Sequence, residues 1–399
     1  MRKYESSQSV ASDLLPDTPV HIYRPAAVAK AVNFFKDNFK GKVLYAVKTN
    51  PEAYVIKECN SLGVNAFDVA SINEIKNVHA IVPDAELFFM HTVKSRQAIK
   101  EAYFTYGIRN FSLDSEAELS KILEETGNAS DLNLFVRLAI PNSYSEISLA
   151  DKFGAHINDA PALIQKTRSV ANKLGICFHV GSQCMHPDAY RIAIRMASKV
   201  VSKAKVRIDF LDVGGGFPSI YPGMLPPAMQ LYFDAIHEEF AKVISKNPGC
   251  ELICEPGRAI VAESGSVIVR VELRKKDYLY INDGTYGSLF DAGFPKFIFP
   301  VKLLRPDSIG HSGNFVPFSL FGPTCDTMDF MKGPFYLPDD IKEGDYIEIG
   351  QLGSYGRTLV TNFNGFKPAE EIIVVEDEPI ISLYSDRQKI SDALEIVAA

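Results

Sequence analysis

The chain has 399 residues, 46% of them apolar, 23% charged and 11% aromatic, an ordinary globular composition and a length that suggests about two domains. A formal net charge of -7 with no basic stripe argues against a nucleic-acid partner. No run of 18 apolar residues is present to span a membrane.

The first residues, MRKYESSQSVASDLLPD, carry two early basic side chains with no apolar stretch behind them, so they read as a polar lead-in rather than a secretory signal. A short strand, VHIYR, follows. From there apolar and β-branched runs recur at Val43–Val47, Asn65–Val69, Leu87–His91, Ile108–Leu113, Leu134–Ala139, Ile176–Val180, Ile208–Val213 and Leu252–Glu255. Helical patterns lie between them. One starts at Ala53; another, around Ser115–Leu123, has Asp114 and Ser115 as candidate N-caps and acidic residues in its first turn.

Eight strand–helix units over roughly 220 residues predict a (β/α)8 TIM-type barrel, here over residues 27–260. A doubly wound sheet is the alternative, but it usually has fewer strands. After the fifth strand, PNSYSEISLADKFGA reads as a loop over the barrel mouth. From about Val261, short alternating strands between Gly, Pro and Asp turns (SGSVIVRVEL, YLYINDG, FVPFSLFGPTC, DYIEIGQLGSYG, EIIVVE) predict a mostly-β, sandwich- or barrel-like domain. That domain comprises residues 1–26 and 261–399, with VHIYR as one of its strands. Arg274-Lys275-Lys276 is expected at a turn within it. The six cysteines complete no zinc pattern and no dense disulfide framework, which suggests a reducing, cytoplasmic compartment.

A barrel carries its chemistry at the C-terminal ends of its strands. Those ends hold Lys48, Asp68 with Glu74 nearby, His91, Arg137, His179-Val180-Gly181-Ser182, Gly214-Gly215-Gly216 and Glu255-Pro256-Gly257-Arg258. Each has an ordinary explanation: a snorkelling lysine, a core histidine, a tight turn, an ion-pair carboxylate. Together they offer a phosphate grip from the glycines and Arg258, a carboxylate, an imidazole to stack on a ring and a lysine amine. Those are the needs of pyridoxal 5'-phosphate, whose aldehyde bonds a lysine and whose pyridine nitrogen wants an acidic partner. Partial burial of Lys48 is expected to keep its amine reactive.

YAVKTNP, HVGSQ, GGGFP, EPGR, GPTCDTMD and the late SYG…FNGF, spread from about Val20 to Pro379, resemble the fold-type III pyridoxal-phosphate decarboxylases of the ornithine and bacterial ornithine/lysine group. The resemblance implies decarboxylation of L-ornithine to putrescine, with L-lysine a second substrate. Lys48 then forms the covalent link to the cofactor, Glu255 partners its ring nitrogen, and His179 stacks on the ring. Ser182, Gly214, Gly215, Gly216, Arg258 and Tyr355 correspond to phosphate binders, and Asp68, Glu74 and Arg137 to flanking polar residues. Cys325 resembles the cysteine that protonates the substrate carbon, and Asp326 the residue that grips the distal amine. Asp291 is the candidate for a further aspartate that contacts that amine. In this family the cysteine and aspartate come from the second subunit of a head-to-tail homodimer, with Lys152 and Asp114 near the interface. Decarboxylases of diaminopimelate, carboxynorspermidine or arginine, a racemase on the same barrel, and a non-catalytic homologue that binds a regulatory partner are the alternatives.

Overall fold

The computed structural model describes residues 1–148, 152–307, 309–366 and 369–385. By internal contacts the chain divides into two units: 32–218 with 226–257, and 1–31 with 219–225 and 258–399.

The first unit is the expected parallel barrel. Its strands are Lys42–Val43 with Tyr45–Ala46, Ala66–Val69, Glu86–Phe89, Asn110–Leu113, Asn133–Arg137, Lys173–Cys177, Phe210–Asp212 and Glu251–Cys254, each hydrogen-bonded in parallel to the next. The first stave is split at Leu44. Its N–H donates to the Cys254 carbonyl (2.8 Å) and that of Ala46 to the Pro256 carbonyl (3.1 Å), which closes first stave on last. Leu44, Ala66, Phe88, Met90, Phe135, Cys177, Phe210 and Ile253 form one buried cluster, in which Phe135 stacks on Phe210 at 5.3 Å. The barrel is thus a packed core, and ligand chemistry is confined to its rim.

Serine caps set the start of three barrel helices. Ser71, Ser95 and Ser115 accept from the N–H groups of Glu74, Ala98 and Glu118 and so open the helices Ile72–Ile81, Arg96–Phe104 and Glu116–Glu125. Helix Pro25–Asn38 precedes the first strand and packs Phe35 and Phe39 against Phe233 of helix Met229–Ile244, at 5.0 and 5.5 Å between ring centres. A helix from before the barrel therefore flanks the one that leads into the eighth strand.

The second unit is built on a nine-stranded mixed sheet. Its spine, Gly265–Lys275, pairs antiparallel with Val20–Tyr23, Tyr346–Ile349 and Tyr278–Ile281. VHIYR therefore joins this sheet as expected. Two features differ from the sequence reading. The N-terminal residues are no lead-in: Arg2–Tyr4 pairs parallel with Ile372–Val375, and helix Ser7–Leu14, capped by Ser6, buries Val10 and Ala11 against Ile268, Ile373 and Val375. A three-residue edge strand has no local pattern of its own and forms because a distant strand offers its edge. The strands Val301–Leu304 and Phe330–Pro338 also went unrecognised, the second because Gly333 and Pro334 interrupt it.

A buried ion pair ties this unit together. Arg24 donates to Glu348 (2.7 Å) and Asp377 (2.8 Å), with the Arg24 and Glu348 side chains 3% and 1% exposed. The neighbouring guanidinium holds Glu348 below the usual carboxylate range even though burial opposes this.

Candidate active site

Lys48 does not end a strand. Val47–Thr49 is a 3-10 turn directly after Ala46, and it lifts the lysine to the rim, where its side chain is 42% exposed. A carboxylate holds the half-buried amine, with Nζ donating to Asp68 Oδ2 at 3.0 Å. Asp68 lies on the second strand and is 3% exposed. Glu74, one turn into the following helix, accepts from the Ala70 N–H (2.7 Å), and burial raises its pKa.

His91 follows the third strand. Its carbonyl accepts from Lys94 Nζ (2.9 Å), and Lys94 is paired with Glu118 (3.0 Å), with burial lowering the lysine pKa to about 8. Arg137 closes the fifth strand and lies over the Phe153 ring at 5.7 Å, while the His91 ring meets Phe153 at 5.2 Å. The expected mouth loop thus returns to the rim. It forms a strand, Ser145–Ile147, paired with Ser182–Cys184, and Asp114 accepts from the Gly154 N–H at 2.9 Å. Residues 149–151 of that loop lie outside the described residues. Lys152 sits 5.1 Å from the Phe153 ring centre.

His179 lies two residues beyond the sixth strand, and its Nδ1 accepts from the Gly181 N–H (3.0 Å). Desolvation first, then the charges of Lys48 and Arg137, hold its pKa well below the usual imidazole value, so the ring is neutral. The glycine turn begins at Gly214 (φ +67°), where a Cβ would sit 2.1 Å from the Phe178 carbonyl oxygen. At Gly215 a Cβ would meet the Glu255 carbonyl oxygen at 2.8 Å and His179 Nε2 at 3.0 Å, so the turn passes directly beside the imidazole. Gly214→Ala should therefore destabilise the protein by about 2–3 kcal/mol through the left-handed backbone and the clash. A thermal melt of the variant without cofactor checks this, and an unchanged midpoint would contradict the turn as described.

Glu255 directly follows the eighth strand, and its N–H donates to the Gly214 carbonyl (2.9 Å). Its carboxyl is buried next to Asp212; burial first, then the charges of Asp212 and Asp68, push its pKa well up. Asp212, last residue of the seventh strand, is raised to about 6 by burial and donor-bound through the Gly214 N–H (2.8 Å). The sequence reading passed over Asp212, although an acidic residue ending a strand just before a glycine run was a usable signal.

The second unit holds two further groups. Arg258 donates to Tyr221 Oη (2.7 Å), approaches Asp291 Oδ2 (3.5 Å) and lies over the rings of Tyr355 (5.0 Å) and Phe297 (5.2 Å). Asp291, proposed as a substrate contact, thus sits against the arginine in a four-residue helix, Phe290–Gly293. Tyr355 adopts φ +60°, a strained conformation for a tyrosine. Tyr221 was not foreseen; an aromatic a few residues past a glycine turn is a weak signal.

In the other group, Cys325 is the exposed member of six free cysteines, the other five being buried. Asp326 Oδ2 accepts from Tyr286 Oη (2.6 Å) and Oδ1 from the Met328 N–H (3.0 Å). These two bonds hold its pKa below the usual value, so it remains a carboxylate. Asp329, 1% exposed, anchors the loop by accepting from the N–H groups of Thr285 (2.7 Å) and Thr324 (3.0 Å). Phe363 packs on Tyr286 at 4.7 Å.

A rim amine beside a carboxylate, a neutral imidazole against a side-chain-free turn and a buried acid holding a proton fit an aldehyde cofactor with a basic ring nitrogen. Such a nitrogen, when protonated, would pair with Glu255 and offset the burial that raises the carboxyl's pKa. Fold and donor set thus define a barrel enzyme of the pyridoxal-dependent type.

Comparison with known proteins agrees. Residues 25–262 match the family model described as pyridoxal-dependent decarboxylase, pyridoxal binding domain. A lysine/ornithine decarboxylase of Selenomonas ruminantium is 30% identical over 346 residues, covering 84% of each chain. Antizyme inhibitor 2 of Xenopus laevis is 31% identical over 374 residues, 85% of this chain and 77% of that one. Among solved structures, the arginine decarboxylase of Paramecium bursaria Chlorella virus superposes with a TM-score of 0.80 at 26% identity, covering 92% of this chain and 99% of that one. The chain belongs to the pyridoxal-dependent decarboxylases.

Proposed function

We propose that the chain decarboxylates L-ornithine to putrescine and, more slowly, L-lysine to cadaverine, as a homodimer whose subunits share active sites. The observation that carries this is the pairing of an exposed thiol, Cys325, with a neighbouring carboxylate, Asp326, that the Met328 N–H and Tyr286 hold ionised. A proton donor next to a fixed negative charge suits a substrate whose far end is an ammonium group.

Pyridoxal phosphate, when bound, supplies the sink for the electron pair left at Cα as carbon dioxide departs. In this reading Lys48 holds it covalently, with Asp68 positioning the amine. Glu255 keeps charge at the ring nitrogen, His179 stacks as a neutral ring and Arg137 flanks it. Ser182, Gly214–Gly216, Arg258 and Tyr355 are its phosphate binders. Cys325 returns a proton to Cα, Asp326 binds the distal ammonium, and Asp291 contributes through Arg258 or the substrate. Residues 27–260 form the cofactor domain, and 1–26 with 261–399 the domain that presents Cys325 and Asp326 to the partner copy. A cytoplasmic location belongs to the same proposal and is supported by six unpaired cysteines.

The test is a panel of L-ornithine, L-lysine, L-arginine and meso-diaminopimelate with cofactor-loaded protein, scoring the amine formed. Putrescine should form fastest, with lysine slower by about 10-fold for its extra methylene. Agmatine or lysine as the main product of the panel would overturn the ornithine assignment, and no carbon dioxide from any substrate would favour a non-catalytic homologue. Dilution below the dimer's dissociation constant should abolish turnover, read by sizing and activity together.

A further inference from the structure

Cys325 and Asn364 are joined in a way the reading above does not use. Asn364 Oδ1 accepts twice from the same residue: from the Cys325 N–H at 3.1 Å and from its Sγ at 3.2 Å. Asn364 sits in the short 3-10 turn Phe363–Gly365 with φ +55°. That left-handed conformation is tolerated by asparagine far better than by most residues. The turn is docked on Tyr286: Phe363 packs on its ring at 4.7 Å, and the Thr361 N–H donates to its carbonyl (2.8 Å). Tyr286 in turn holds Asp326 (2.6 Å). The turn that carries Asn364 is therefore held by contacts other than those to Cys325.

An exposed cysteine has three staggered positions for its sulfur and little packing to choose among them. The backbone bond places the Asn364 oxygen against Cys325, and the thiol bond selects the one rotamer in which sulfur reaches it. Because an amide oxygen only accepts, the contact also points the thiol proton in a known direction. Rotation about Cβ–Sγ then turns that proton away from Asn364 without moving the sulfur.

We infer that Asn364 is a positioning residue that sets the Cys325 rotamer and holds its proton ready for transfer to Cα. This rests on the reading of Cys325 as the proton donor. The electron pair left by the departing carboxylate takes one proton wherever it is delivered. At Cα it yields the diamine. At the carbon derived from the cofactor's aldehyde it yields, after water adds, an amino aldehyde and pyridoxamine phosphate. A misplaced thiol shifts the balance toward the second outcome.

Asn364→Gly is the informative variant, because glycine accepts the positive φ and only the acceptor is lost. It should raise the fraction of turnovers ending in pyridoxamine phosphate by about 10-fold. In protein without substrate or cofactor it should also change the rate at which iodoacetamide alkylates Cys325, by about threefold or more, read by mass spectrometry. Asn364→Asp, which keeps an acceptor in place, should stay near the parent in product partition, while its added charge beside the thiol should slow alkylation. An unchanged product partition in Asn364→Gly, beside a shifted one in Cys325→Ala, overturns the positioning role alone. If Cys325→Ala itself leaves the partition unchanged, the donor assignment falls and the inference with it.

Discussion

Lys48→Ala is expected to lower turnover by about 10³-fold and to abolish the absorbance band of lysine-bound cofactor. The size follows from the position of the amine. It sits on a 3-10 turn at the rim with Asp68 at 3.0 Å. Alanine removes the covalent hold and the nearest cationic partner of the buried Asp68 at once. Lys48→Arg keeps the charge near Asp68 but cannot form the bond, so it should restore thermal stability and not turnover. Spectra of both variants after cofactor loading, with carbon dioxide release in a single turnover, separate the two contributions. Normal turnover with a retained band in Lys48→Ala would refute the role given to this lysine.

Glu255→Gln should cost about 10²–10³-fold in turnover, since a neutral amide cannot keep positive charge on the ring nitrogen and the electron sink weakens. Its effect on stability should have the opposite sign. In the cofactor-free protein, burial raises both Glu255 and Asp212, the latter to about 6, and the charges of Asp212 and Asp68 raise Glu255 further. The folded state then holds protons that the unfolded chain releases, so stability falls as pH rises from the ordinary carboxylate range through about 6. Glutamine removes one member of the pair. The variant without cofactor should therefore lose less of its melting temperature between pH 5 and pH 7.5 than the parent does. An equal loss in both proteins would mean that Glu255 does not hold a raised pKa in the folded protein. A residue that lowers stability in the empty protein while serving the bound ligand is a common arrangement at functional sites.

Most of the barrel was legible because its signal is local and repeated. Strands such as Ala66–Val69 and Asn133–Arg137 are buried on both faces and read as short continuous apolar runs, and Ser115 with the acidic turn after it marked a helix start where one occurs. The rule that barrel chemistry lies at strand ends then picked out Lys48, Asp68, His179 and Glu255 without any ligand. The second unit was harder. Phe330–Pro338 is interrupted by Gly333 and Pro334, and Arg2–Tyr4 is a strand only because Ile372–Val375, some 370 positions away, pairs with it.

By itself, then, the sequence determined the architecture class, the identity of the rim residues and the family, because periodicity, turn residues and motif spacing are properties of neighbours along the chain. Tertiary structure alone decided how those residues act on one another. It set Lys48 against Asp68 and placed Asp291 beside Arg258. It made Asp212 a partner to the buried Glu255 and brought Asn364 to the thiol of Cys325. Those relations depend on burial and on contacts between residues tens of positions apart, and desolvation and hydrogen-bond direction exist only once the chain has closed on itself.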